Sequence, residues 1–121
     1  MTVLDASAVL AYLGGEPGHE EVEQALEQGS RCSTANWSEV AQRVLAAGGD
    51  WDLSRALLLS YGLQLDPVEA QDAEWAARRW RRGEGLSLGD RLCLALSHRV
   101  GEPVLTADSS WGADDGIRQI R

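Results

Sequence analysis

The 121-residue chain contains no lysine and no phenylalanine, and only two cysteines, two histidines and three prolines. Each scarcity removes a class of function. A P-loop needs Gly-Lys-Ser/Thr against nucleotide phosphates, kinase-type transfer needs a phosphate-pairing lysine, and a Schiff-base enzyme needs an amine. All 11 basic residues are arginine, against 19 acids, for a formal charge of −8. That balance lacks the many cation–phosphate contacts of a general basic nucleic-acid binder. Cys32 and Cys93 stand alone in apolar surroundings without a CxxC spacing. They read as reduced core thiols of a cytoplasmic protein. Together with His19 and His98 they do not supply the spaced ligand set of a zinc site. No apolar run approaches the ~18 residues of a membrane span, and Met1-Thr2-Val3-Leu4-Asp5 lacks the basic region of a signal peptide.

What is present is ordinary globular composition, 44% apolar and 25% charged, in a length that suits one domain over residues 1–121. Glycine and proline divide it into short units. The pattern predicts strands at 2–4, 31–34, 63–68, 103–106 and 117–120, and helices at 6–13, 17–28, 36–47, 50–61, 69–82 and 87–100. Pro67 interrupts the third strand, which places it near a sheet edge or a strand end. In the helix at 69–82, Ala73, Ala76, Ala77 and Trp80 are expected inward. Strands alternating with helices of this length indicate a three-layer α/β/α fold around a central, mostly parallel sheet. Ligands in such folds bind beyond the carboxyl ends of the strands, near a switch in strand order.

That rule selects four acids. Asp5 follows the first strand and Asp108 follows the fourth, so both emerge at one sheet edge. Glu39 and Asp90 lie in the first turns of helices that begin near that edge. Plain readings compete. Asn36-x-x-Glu39 and Ser87-x-x-Asp90 both fit the capping-box pattern, and Asp5 and Asp108 fit turn acids. Clustered carboxylates repel and raise each other's pKa. With no lysine to neutralise them, the natural counter-charge is a hard cation such as Mg²⁺ or Mn²⁺. That points to metal-assisted phosphoryl chemistry.

Five segments then form a pattern: Val3-Leu4-Asp5-Ala6-Ser7-Ala8, Ser33-Thr34-Ala35, Asn36-Trp37-Ser38-Glu39-Val40, Leu86-Ser87-Leu88-Gly89-Asp90-Arg91 and Leu105-Thr106-Ala107-Asp108. In order and spacing they resemble the PIN-domain ribonucleases, specifically the VapC-type toxins of bacterial toxin–antitoxin pairs, from end to end. The resemblance implies a PIN-like α/β/α fold and a Mg²⁺- or Mn²⁺-dependent endoribonuclease. It implies Asp5, Glu39, Asp90 and Asp108 as catalytic acids, with Asp5 and Asp90 as metal ligands. It also implies an RNA substrate, a homodimer and a cognate antitoxin. Ser7 matches a hydroxyl that accompanies the first acid, or else caps a helix. Thr106 is a site hydroxyl or an ordinary β-branched strand residue. Asp114 and Asp115 either assist from the last loop or are turn acids.

Arg78, Arg79, Arg81 and Arg82 flank Trp80 in the one concentrated basic patch. Arginine bridges phosphates and stacks on bases, which makes the patch an RNA-contact candidate. The competing reading is a set of helix C-terminal cations with Trp80 in the core. Trp37, Trp51 and residues 57–59 are apolar candidates for the core or for a protein interface. The alternative function is a non-catalytic metal- or RNA-binding interaction module. A phosphohydrolase of small esters fits less well, because Asp5 is followed by Ala6 and Ser7 rather than by an Asp-x-Asp pair.

Overall fold

A computed structural model describes residues 1–114 and 116–121. The chain runs β1 (Thr2–Leu4), α1 (Ala6–Gly14), α2 (His19–Gln28), β2 (Ser30–Ser33), α3 (Thr34–Ala46), α4 (Trp51–Ser60), β3 (Gln64–Asp66), α5 (Ala70–Arg79), α6 (Leu88–Val100), β4 (Val104–Thr106) and β5 (Ile117–Gln119), with a 3₁₀ turn at Ser109–Trp111. The five strands form one sheet in the order β3-β2-β1-β4-β5, and every pairing is parallel. β3, followed by Pro67, is an edge strand, where a missing ladder donor costs nothing.

The strands are only three or four residues long, yet they set both faces through their alternation. Leu4, Cys32 and Leu105 point to one side and pack with Ala8, Val9, Ala11, Val22, Leu26, Val40 and Leu58 from α1 to α4. Val3 and Val104 point to the other and pack with Cys93 and Leu96 of α6 and with Trp111. α5 packs outside α6. The sheet is thus covered by helices on both sides, as parallel sheets require. Both cysteines are free and buried, and burial raises both thiol pKa values.

Several local expectations are corrected. α2 begins at His19 with Gly18 as its cap, two residues later than a Pro17 start. Gly18 has a positive φ, and a Cβ there would lie 2.4 Å from the Ile120 carbonyl oxygen. The segment just after β5 therefore sits tightly against the α1–α2 turn, a close approach only glycine admits. α3 is capped by Ser33, whose side chain accepts from the Ala35 amide, so Asn36 is not a cap but a buried residue inside the helix. α5 ends at Arg79. Of its expected inward residues only Ala76 is buried, while Ala73, Ala77 and Trp80 are exposed. The helix instead buries Asp72, which caps the helix start and pairs with Arg99. Among the described residues no helix is long and apolar enough to cross a membrane.

Candidate active site

β1 and β4 are neighbours, and the chain leaves them in opposite directions, toward β2 and β3 on one side and β5 on the other. The crevice at their carboxyl ends is the place where this fold class binds ligands. A cavity of about 370 Å³ opens there, lined by Asp5, Ala6, Ser7, Leu10, Glu16, Glu39, Arg43, Asp90, Asp108 and Arg121. All four sequence-selected acids share it.

Asp5 is the buried member, 3% exposed, and it caps α1 by accepting from the Ala8 amide at 2.8 Å. Thr106 Oγ1 donates to Asp5 Oδ2 at 2.6 Å, and Ser7 Oγ donates to the same carboxylate at 2.8 and 2.9 Å. Each hydroxyl has one hydrogen, so both hydrogens are committed to Asp5. The hydroxyl oxygens in turn accept from the backbone, Ser7 from Ala107 N–H at 2.9 Å and Thr106 from Asp108 N–H at 3.0 Å. The loop after β4 is thereby tied to the first turn of α1. Thr106 is not merely a strand residue and Ser7 is not a helix cap: both orient Asp5. Burial drives the Asp5 pKa up from 3.8 to about 6, with Asp90 adding a smaller push and the Thr106, Ala8 and Ser7 hydrogen bonds opposing it.

The other three acids are half-buried. Asp90 accepts from the Ser87 amide at 2.9 Å, closing the capping box that the sequence suggests. The cap and the site use one residue, because the helix start itself faces the cavity. Glu39 accepts from Asn36 Nδ2 at 2.8 Å. Asp108 caps the 3₁₀ turn through Ser110. As the side chains stand, no three His, Cys, Asp or Glu groups among the described residues form a ready metal cage. Their chemistry still fits a hard divalent cation. The donors are oxygens, their charges are of one sign, and burial raises the Asp5 pKa with a smaller push from Asp90.

Two arginines on the cavity wall were missed from the sequence. Arg121 is paired with Glu16 at 3.8 Å, while Arg43 has no carboxylate within 4.0 Å among the described residues. The signal for Arg43 was available, since it lies four positions after Glu39 on the same helix face. The sequence-selected basic patch does not line the cavity. Arg79 pairs bidentately with Glu84 at 2.6 and 3.0 Å, Arg78 lies 3.7 Å from Glu74, and Arg81 lies 3.8 Å from Glu84. Arg82 stands over the ring of Trp80 at 5.6 Å, and that ring is 53% exposed. Asp114 lines a separate depression with Trp75, Arg79 and His98, and Asp115 lies outside the described residues.

A family model described as PIN domain matches residues 2–113. A VapC ribonuclease of Mycobacterium bovis is 36% identical over 115 residues, spanning 85% of this chain and 87% of its own length. A Mycobacterium tuberculosis protein named Ribonuclease VapC42 has the same identity and coverage. Among solved structures, a toxin–antitoxin complex from Klebsiella pneumoniae superimposes with a TM-score of 0.78 at 18% identity, over 100% of this chain and 98% of that one. VapC20 of Mycobacterium tuberculosis, a sarcin–ricin-loop-cleaving toxin, gives 0.73 at 18% identity, over 93% and 95%. At such identities the superpositions speak to the fold alone.

Proposed function

Because this chain belongs to the PIN-domain family and to the VapC ribonucleases within it, we propose that it is an endoribonuclease toxin that hydrolyses RNA phosphodiester bonds with Mg²⁺ or Mn²⁺. The observation that carries the reading is the four-acid cavity at the β1/β4 switch point, with Asp5 buried and held by two hydroxyls. Residues 1–121 act as one domain of the family.

Asp5 and Asp90 hold the ion, with Glu39 and Asp108 completing the acid set. When bound, a divalent cation supplies positive charge for the phosphate and a more acidic water as nucleophile. The protein's own part is orientation. Ser7 and Thr106 fix the Asp5 carboxylate from one side, the α6 start presents Asp90, and α3 presents Glu39. Ser7 gives its hydrogen to Asp5 and accepts the Ala107 amide, which fixes the carboxylate against the loop after β4. Among the described residues, Arg43 and Arg121 are the fixed cations on the cavity wall. Trp80 with Arg82, Arg78, Arg79 and Arg81 forms a second surface for RNA, where Trp80 offers a stacking face.

A cognate antitoxin is the protein partner, and an acidic toxin suits a basic one. The chain works as a homodimer. Exposed Leu53 and Leu57 on α4, with Leu45 at the end of α3, offer one apolar surface for either contact, whereas Leu58 is core.

The test uses the purified chain, free of partner, with total RNA in Mg²⁺, in Mn²⁺ and in EDTA. Metal-dependent fragments at defined positions support the nuclease. No cutting with either ion favours the binding module. Asp5→Ala or Asp90→Ala variants that cut like the parent would remove the site assignment.

A further inference from the structure

Asn36 is a fully buried amide, 1% exposed, on the third position of α3. It does no capping, since Ser33 has that role. Its Nδ2 donates to Glu39 Oε1 at 2.8 Å on its own helix and to the Gly89 carbonyl oxygen at 3.1 Å on α6. Both neighbours are acceptors only, so the amide orientation follows from them. Its Oδ1 is buried and has no partner among the described residues. Both Nδ2 hydrogens are thus used, one within α3 and one across to α6. The residue is explained by what its Nδ2 holds.

Glu39 has an obvious competing partner. Arg43 lies four positions on, in the order that favours a helix-surface ion pair. The two line the same cavity, yet the Glu39 carboxylate turns to Asn36 instead. Gly89 makes room for that turn. A Cβ on Gly89 would lie 2.5 Å from Glu39 Oε1, 2.9 Å from its Cδ and 3.0 Å from Oε2. The carboxylate therefore lies flat against the first turn of α6, one residue before Asp90.

We propose that Asn36 is a positioning residue: with Gly89 it clasps α3 to the α6 start, diverts Glu39 from Arg43, and so sets Glu39 beside Asp90 for the metal. The proposal rests on Glu39 being a site acid.

The test compares Asn36→Leu, Gly89→Ala, the double variant Asn36→Leu/Arg43→Gln and Glu39→Gln. Mn²⁺ affinity is read by electron paramagnetic resonance without RNA, folding by thermal melts in EDTA, and cleavage by separate kcat and KM. Asn36→Leu keeps a cooperative melt, weakens Mn²⁺ binding about tenfold or more, and lowers kcat with little change in KM. Arg43→Gln in that background recovers part of the Mn²⁺ affinity, because the competing cation is gone. Gly89→Ala keeps the fold even if Asn36→Leu does not. It sits in a helix, where alanine is preferred, and only the flexible end of Glu39 need move. It should lose Mn²⁺ affinity in the same way. Folded Asn36→Leu or Gly89→Ala protein with parental affinity and kcat overturns the proposal, and no recovery in the double variant overturns the diversion from Arg43. If Glu39→Gln itself keeps parental affinity and kcat, the failure lies in the reading of Glu39 as a site acid.

Discussion

Replacing Asp5 by asparagine should make the metal-free protein more stable at neutral pH while ending catalysis. The Asp5 carboxyl rises from 3.8 to about 6 in the fold, chiefly through burial, a difference worth about 3 kcal/mol. A raised folded pKa contributes stability that is present below pH 3.8 and is lost as the pH climbs through 6. Asparagine has no such loss. It can still accept the Ala8 amide, but its single oxygen replaces the two of the neutral carboxyl that face Thr106 and Ser7, at a pH-independent cost of about 1–2 kcal/mol. The difference between variant and parent removes every other titrating group. Urea unfolding in EDTA should show the variant gaining roughly 2.5 kcal/mol on the parent between pH 4 and pH 8. Adding Mg²⁺ at pH 8 should narrow that gap, because the cation stabilises only the parent's ionised Asp5. A gap that does not change with pH, or that moves the other way, refutes the account of a desolvated carboxylate awaiting a counter-ion.

Glu39→Gln and Asp90→Ala should each lower RNA cleavage by about 100-fold or more in the folded protein, read as initial rates on one defined RNA. Thr106→Val keeps the strand shape but deletes the 2.6 Å bond to Asp5. The carboxyl pKa then climbs above its present value of about 6, which a carbon-detected NMR titration of the metal-free protein would follow. Asp72→Ala removes the start-of-helix cap and the carboxylate that holds Arg99 at 2.9 and 3.1 Å, leaving Arg99 with Glu69 at 3.5 Å, and should cost about 1–2 kcal/mol in urea unfolding. Trp80→Ala should leave the melt unchanged but weaken RNA binding by about 1 kcal/mol. Unaltered affinity at low salt would remove Trp80 from the RNA surface.

The acids were legible in the sequence because strand ends and helix starts are local features. Thr2-Val3-Leu4 before Asp5 and Val104-Leu105-Thr106 before Asp108 read as strands by β-branching and punctuation. Parallel topology then put both acids at one edge. The capping-box reading of Asn36, one of the two the sequence left open, fails for an equally local reason. Its spacing to Glu39 fits a capping box, but Ser33 lies nearer the true helix start and takes the cap. Trp80 and the alanines of α5 were misplaced because an apolar face presumes a core partner. α5 packs on α6 through Asp72, Ala76 and Trp75, which stacks on His98, while Ala73, Ala77 and Trp80 meet solvent.

The sequence alone determined the element order, the parallel sheet and the acidic set, since propensity, periodicity and the absence of lysine act residue by residue. Only the tertiary structure decided which groups serve those acids. Thr106 reaches Asp5 across 101 residues and Asn36 reaches Gly89 across 53. Arg43 was left on the cavity wall while the four arginines around Trp80 stood elsewhere. Hydrogen-bond donors are chosen by distance in space, and no spacing along the chain records which strand end will lie beside which helix start.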